Sequence, residues 1–137
     1  MALNIDSIFI SALTSISSLV EGRLYGTAIP LPDEDLDNAP VPYLIVSFDG
    51  LQNDQYSKDD YEGETDTVQI SVEVCDKTLA KLHALTQAVR DAIHSYMQTN
   101  GESKGILDYS FTTSAINYDS LKPCYYQVLH YSCSTTK

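Results

Sequence analysis

The spacing of the apolar residues changes abruptly in the middle of the chain. From Thr67 to Cys75 apolar and polar residues alternate strictly, which turns the apolar side chains to one face of a strand. After Asp76, a plausible N-cap, apolar residues recur every three or four positions as far as Met97, which predicts an amphipathic helix. These apolar positions are Val68, Ile70, Val72 and Val74, then Leu79, Leu82, Leu85, Val89, Ile93 and Met97. The pattern predicts a core between a sheet and a helix layer.

A second amphipathic helix is predicted at the N-terminus. Asn4 or Asp6 could cap it, and Gly22 lies where helices commonly end in a left-handed residue. Because the polar side is rich in Ser and Thr, which are mediocre helix formers, burial of the apolar stripe must stabilise this helix. The stripe consists of Ile5, Ile8, Phe9, Ala12, Leu13, Ile16, Leu19 and Val20.

The remaining segments predict further strands. They are a short extended piece at 23–29 and strands at Tyr43–Phe48, near Leu107–Tyr118 and at Cys124–Cys133. The last is apolar or aromatic on both faces, so we expect it in the centre of its sheet or in an interface. We therefore predict one α+β domain over 1–137, with two helices packed on one face of a mainly antiparallel sheet of about four to five strands. A proline-rich loop at 30–42 and a long acidic loop at 50–66 interrupt it.

Length and composition fit a single globular domain. With 137 residues the chain can bury roughly two-thirds of its unfolded surface without disulfides or metals. No apolar run approaches the ~20 residues of a membrane span, and no basic residue precedes the N-terminal apolar positions, so we expect neither a span nor a signal peptide. Three cysteines without a C-x-x-C spacing predict reduced, partly buried thiols. The expected location is the cytoplasm of the cell that makes the chain.

Negative charge is concentrated in one part of the chain. The net charge is −11, and between Asp33 and Asp66 eleven carboxylates stand against the single base Lys58, a local balance of −10. A nucleic-acid binder needs clustered Lys and Arg, so this segment is not a nucleic-acid interface. It could be a solvated loop, a surface for a basic partner, or a surface that repels polyanions.

A search for catalytic and metal-binding patterns favours a non-enzymatic protein. The sequence has no nucleophile elbow, zinc-protease motif, phosphate loop or dinucleotide fingerprint. Cys124 and His130 share a strand face, but six residues along a strand separate them by ~20 Å, too far for one metal ion. His83 and His94 are expected on the solvent side of the central helix. We predict no catalytic residues, no cofactor and no metal site.

Tyrosine dominates the aromatic residues. Ten Tyr accompany three Phe and no Trp, and tyrosine is enriched at interfaces because it combines apolar area with a polar tip. Four of them lie in the last two predicted strands: Tyr118, Tyr125, Tyr126 and Tyr131. We predict that these four contribute to a subunit interface.

The order of segments resembles a known family. The N-terminal helix ends in Glu21-Gly-Arg-Leu-Tyr-Gly26, and the proline-rich loop leads into Val41-Pro-Tyr-Leu-Ile-Val46. A polar excursion, the alternating strand from Thr67 and the helix with its Ala88-Val-Arg-Asp-Ala-Ile93 follow. About four-fifths of the chain resembles the tail-completion (tail-terminator) proteins of long-tailed bacteriophages and prophages.

This resemblance implies an assembly protein of the virion tail or neck. Such a protein forms a hexameric ring on the tail tube, is in some cases monomeric in solution, and contacts the tail tube protein and a neck or head-completion protein. DNA would pass through the ring without specific binding. In that setting the acidic loop could repel phosphates from the lumen or contact a neighbouring ring. The residues concerned are Asp54, Asp59, Asp60, Glu62, Glu64 and Asp66.

Two alternatives remain open from the sequence. One is a head–tail adaptor or neck protein of the same assembly, which would bind the portal side instead of capping tail tubes. The other is a small cytoplasmic ligand-binding domain or enzyme with an unrecognised site, for which a buried pocket containing His130 or Cys124 would be the sign.

Overall fold

The structure, a computed structural model, describes residues 4–32, 36, 39–54 and 65–136. Two α-helices and six strands form one layered arrangement, with short 3₁₀ segments after each helix. In chain order these are α1 (Ile5–Leu13), a 3₁₀ segment (Thr14–Val20), β1 (Leu24–Gly26), β2 (Tyr43–Asp54), β3 (Thr65–Asp76), α2 (Leu79–Asn100), a 3₁₀ turn (Glu102–Lys104), β4 (Ile106–Thr113), β5 (Asn117–Asp119) and β6 (Cys124–Thr136).

The six strands form one mixed sheet in the order β1-β2-β3-β6-β4, and β5 also pairs with β6. Among the described strands, β1 with β2 is the one parallel pair, and the other pairs are antiparallel. The predicted α+β class is confirmed, as is the central position of β6. The strand number exceeds the predicted four to five.

The additional strand comes from an interruption near the end of the chain. The predicted strand at Leu107–Tyr118 is β4 and β5, which pair with successive parts of β6 and are separated at 114–116. Ser114 forms two hydrogen bonds to Val128 across this gap. Its N–H donates to the Val128 carbonyl at 2.9 Å, and its hydroxyl accepts from the Val128 N–H at 3.0 Å. Gln127 donates to the Ser114 carbonyl at 3.0 Å. One main-chain bond and two side-chain bonds thus replace regular pairing here.

The helices cover one face of the sheet, as predicted. β3 presents its alternating valines and isoleucine to them, and β6 adds Leu129 opposite Val72. Members of this core are fully or almost fully buried: Ile5, Phe9, Leu13, Leu44, Val46, Val68, Ile70, Val72, Val74, Leu82, Val89, Ile93 and Leu129. Burial of this much aliphatic surface is the main term that holds the two layers together.

The N-terminal helix changes its winding after Leu13, where one continuous helix was expected. The hydroxyl of Thr14 donates to the Ile10 carbonyl at 3.0 Å and that of Ser15 to the Ala12 carbonyl at 3.2 Å. Such bonds compete with the regular helical ladder, and a 3₁₀ segment follows. With three residues per turn the stripe drifts, so Leu19, predicted as buried, is 54% exposed.

The start of α2 also differs from the expectation. Thr78 is the N-cap, and its hydroxyl accepts from the Lys81 N–H at 3.2 Å. Asp76, the expected cap, is instead the last residue of β3 and accepts from the Lys77 N–H at 2.7 Å. Because the helix begins after Thr78, Leu79 lies on its first turn and is 44% exposed, while the rest of the predicted stripe is buried.

The hairpin between β2 and β3 is longer than predicted. Pairing continues past a bulge between Phe48 and Gly50 as far as Asp54 opposite Thr65. Residues 50–54 and 65–66 of the predicted loop are therefore in strands, and residues 55–64 lie outside the described residues. In the proline-rich segment at 30–42, the described residues belong to neither the strands nor the α-helices.

Candidate interaction surfaces

The acidic segment emerges from the end of the sheet where the three longest strands run together. Asp54 ends β2, and Asp66 near the start of β3 accepts from the Asn53 amide at 2.7 Å. Thr65 pairs on its other side with Thr136 of β6. The other predicted acidic residues, Asp59, Asp60, Glu62 and Glu64, lie outside the described residues. Firmly paired strands thus anchor both ends of this carboxylate-rich excursion.

The predicted tyrosine interface is divided between the two faces of the sheet. Tyr118 and Tyr125 are paired across β5 and β6 with ring centroids 5.0 Å apart, and Tyr125 packs against the helix-side core. Tyr126 is the next residue along β6 and therefore points to the opposite face. Tyr118 is 55% exposed, the largest exposure among the four tyrosines, which makes it the best placed for an external contact.

Tyr131, one of the four tyrosines predicted at a subunit interface, lies in the core of the subunit instead. It is 1% exposed and stacks on Phe111 with a centroid distance of 5.3 Å, while the ring of Phe9 of α1 lies edge-to-face with it at a centroid distance of 5.1 Å. Its side chain belongs to the core of the subunit because it lies on the helix-covered face of the central strand. It offers no surface to another subunit.

The face of the sheet opposite the helices is mostly polar. Within the described strands it carries Gln69, Ser71 and Glu73 of β3 and His130 and Ser132 of β6. Gln69 donates to the Ser132 hydroxyl across the two strands at 3.2 Å. None of the described helices lies on this open face. It is a broad hydrogen-bonding surface with a small apolar cluster at one end.

That cluster, here named the Tyr43 cluster, contains Tyr43, Cys75, Cys124 and Lys122. Tyr43 pairs with Cys75, and the side chains of both cysteines are buried beside its ring. Ile29 and Val41 of the segment before β2 pack over it. Lys122 is only 9% exposed; its ammonium donates to the Tyr43 hydroxyl at 3.0 Å and lies 4.5 Å from the ring centroid. A cation–π contact and a hydrogen bond together hold this buried charge.

The electrostatics of the cluster suppress the reactivity of the Cys75 thiol. Burial raises the pKa of Cys75 far above its usual range, and the adjacent Cys124 raises it further. Burial likewise raises the pKa of the Tyr43 hydroxyl. Neighbouring Glu73 has a pKa raised by burial and partly lowered again by Lys122 and by a hydrogen bond from Tyr43. Thiols that stay protonated are poor nucleophiles and poor metal ligands.

The other residues considered for chemistry are dispersed. All three cysteines are free, and they are almost fully buried, where partly buried thiols were predicted. His83 and His94 are on the exposed side of α2, as expected, and His130 is exposed while Cys124 lies in the Tyr43 cluster. The described residues contain no group of three or more His, Cys, Asp or Glu that could hold a metal ion. No described helix combines the length and apolar character that crossing a bilayer requires.

Sequence reasoning missed Lys122 and Arg90. Lys122 lies between Leu121 and Pro123 in a turn, where a lysine normally reaches into solvent, and only the fold of β6 beside β3 buries it. Arg90 was visible only as one polar residue of a helix. Its contact with Phe111, with 5.2 Å between the guanidinium carbon and the ring centroid, depends on how α2 lies over β4.

Comparison with known proteins identifies a shared fold. No family model and no curated protein matches the sequence. The structure is similar to a chain in the virion of a native gene transfer agent particle, with a TM-score of 0.59 and 16% sequence identity. The similarity covers 93% of this chain and 90% of that chain. At this identity the two chains share the fold, over nearly the full length of both.

Proposed function

We propose that this protein is a structural component of a phage-like particle, which forms a ring that caps the tail tube and joins it to the neck. The observation that carries the proposal is the fold shared with a chain of a gene transfer agent virion over 93% of the present chain. The sequence resemblance to tail-completion proteins points in the same direction and adds the position on the tail tube. The role is assembly, with no catalytic step.

Two features of the fold support ring formation. β1 and β4 are the edges of the main strand order, so main-chain groups on their outer sides are available for pairing with a neighbour. Tyr118 adds exposed aromatic area next to the β4–β5 edge. A contact between different patches on successive copies closes into a ring when the rotation per subunit divides a full circle.

The acidic segment fits the same role. In the proposed ring, Asp54, Asp66 and the carboxylates between them face the lumen, where they repel the phosphates of passing DNA, or face a neighbouring ring. Like charges in a narrow channel whose protein walls have a low dielectric constant repel more strongly than on an open surface. DNA then has no binding site along its path.

Deletion of the gene in the phage or prophage that encodes this chain tests the proposal. We expect tails of uncontrolled length by electron microscopy, because nothing stops polymerisation of the tube, and restoration of normal length by the wild-type gene. If the tails have normal length but fail to join heads, the protein is a head–tail adaptor and does not cap the tube. Normal, infectious particles would contradict both roles.

The lumen position has a separate test. Replacing Asp54, Asp59, Asp60, Glu62 and Glu64 together by Asn or Gln should slow DNA release from purified particles without preventing their assembly. Release at an unchanged rate would remove the lumen assignment and leave the contact with a neighbouring ring.

A further inference from the structure

A recess of about 310 Å³ lies between α2 and the strands β4 and β6. One helix face and three aromatic residues line it: Gln87, Arg90, Asp91, His94, Tyr109, Phe111 and Tyr131. The helical residues share this face because they are three or four positions apart. The volume is at the lower end of the range of small-molecule pockets. It belongs to neither the acidic segment nor the Tyr43 cluster.

One of the residues that line it, Tyr131, has a buried hydroxyl without a partner among the described residues. Tyr131 is 1% exposed, and its hydroxyl has no hydrogen-bond partner among the described residues. Contacts with Phe9, Tyr109 and Phe111 hold the ring in place. Burial raises the pKa of Tyr131, so the hydroxyl keeps its proton and remains a donor. An unsatisfied buried donor is costly, and native proteins normally pair it with a protein group, water or a ligand.

The charged groups around the recess provide more donors than acceptors. The guanidinium of Arg90 is fixed over the Phe111 ring but makes no ion pair among the described residues. The carboxylate of Asp91 accepts from the Gln87 amide at 2.9 Å, within the same helix. His94 Nδ1 and the Tyr109 hydroxyl are 2.6 Å apart and satisfy each other. Among these groups, the Arg90 guanidinium has no ion-pair partner and the Tyr131 hydroxyl has no hydrogen-bond partner within the described residues.

We infer that this recess binds a carboxylate group, held by the Arg90 guanidinium and the Tyr131 hydroxyl. A guanidinium matches the two oxygens of a carboxylate with two parallel N–H donors, and the aromatic wall accommodates a flat apolar body attached to that group. A phosphate dianion fits less well because Asp91 stands beside Arg90. The carboxylate comes from a small organic acid or from an acidic side chain of a second copy, since the chain carries nineteen Asp and Glu.

Titration of the purified full chain with sodium benzoate at constant ionic strength tests the assignment. We expect saturable shifts of the backbone N–H signals of Asp91 and His94 in ¹⁵N NMR, which all the variants retain, with a dissociation constant on the order of millimolar for so small a ligand. Arg90→Gln and Tyr131→Phe should each weaken binding at least tenfold. Lys104→Gln, which removes the same charge from an exposed residue, should leave it unchanged.

The Tyr131→Phe variant also controls for folding. Without benzoate it should melt at the same temperature as the wild type or higher, because it removes an unpartnered buried hydroxyl. If the titration shows no saturable shift, or if Arg90→Gln and Lys104→Gln respond alike, the recess holds only water and the inference is overturned.

Analytical sedimentation at increasing protein concentration shows whether the carboxylate comes from a second copy or from a small organic acid. If the chain self-associates, and both benzoate and Arg90→Gln reverse the association, the carboxylate comes from a second copy. A monomer at all concentrations that still binds benzoate assigns it to a small organic acid. Neither result depends on the proposed role in the tail, so the two proposals stand or fall separately.

Discussion

The two faces of the sheet use the same strands for different purposes. On the helix-covered face, β3 presents Val68, Ile70, Val72 and Val74, all fully buried. On the open face, the residues between them are Thr67, Gln69, Ser71, Glu73 and Cys75, and only the last is fully buried. The two-residue period of a strand separates them completely. One face stabilises the subunit, and the other, with the strand edges and the acidic segment, is left for contacts with other molecules.

The contrast is not absolute, because the open face has a small core of its own. Around Tyr43 the chain buries two thiols and the ammonium of Lys122, whereas the helix side buries mostly aliphatic and aromatic groups, with the thiol of Cys133 and the hydroxyl of Tyr131. Stability on the helix side should therefore depend on packed volume, and on the open side on specific polar contacts. Three substitutions test this difference, in order of decreasing effect.

The largest effect is expected within the helix layer. Leu82→Ala should lower the free energy of unfolding by about 2–5 kcal/mol, because Leu82 is fully buried and its loss leaves a cavity. Leu79→Ala, the same change one turn earlier on α2, should cost about 1 kcal/mol or less because Leu79 is 44% exposed. Urea unfolding followed by circular dichroism measures both. Equal losses would contradict the placement of the two leucines.

An intermediate effect is expected in the Tyr43 cluster. Tyr43→Phe should cost about 1–3 kcal/mol, because it removes the hydrogen-bond acceptor of the buried Lys122 ammonium. The same change should cost less in a Lys122→Met background, where no buried charge needs that acceptor. A double-mutant cycle on unfolding free energies gives the coupling. Equal costs in both backgrounds would show that the Lys122–Tyr43 contact contributes nothing to stability.

The smallest effect is expected at Glu73 and depends on pH. Burial raises the pKa of this carboxyl in the folded state above its usual 4.5, so ionisation is less favourable in the folded than in the unfolded chain. Stability should therefore fall as pH rises from below 4.5 through the raised pKa. Glu73→Gln removes this loss, so the variant should melt at a higher temperature than the wild type at pH 7 but not at pH 4.

Glu102→Gln, at an exposed position, provides the matched control for the pH experiment. Each variant loses one carboxyl group, so the difference between them reports the buried environment of Glu73 against the exposed one of Glu102. A melting-temperature difference that does not change between pH 4 and pH 7 would contradict the raised pKa.

Much of the fold was accessible from the sequence, and the errors have local causes. The strand Thr67–Cys75 and the helix after it were predicted because long periodic segments carry a strong signal. The end of α1, the cap of α2 and the gap between β4 and β5 were missed because single side-chain hydrogen bonds decide them, through Thr14, Thr78 and Ser114. Such bonds leave no periodic pattern in a sequence.

The candidate sites were less predictable than the fold. Tyrosine enrichment drew attention to Tyr118, Tyr125, Tyr126 and Tyr131, but only strand register shows that they divide between two faces and that Tyr131 belongs to the core. The recess beside Arg90 could not be predicted, because its walls come from a helix and two strands that are distant in sequence.

The sequence alone determined which side of each strand and helix is apolar, where negative charge accumulates, and hence that helices must lie on one side of a sheet. Local periodicity and charge are properties of neighbouring residues, so they can be read directly. The tertiary structure decided which polar groups become buried and which residues from distant segments meet, as at Lys122 with Tyr43 and Arg90 with Phe111. Those contacts depend on the register and packing of whole elements, which no single segment encodes.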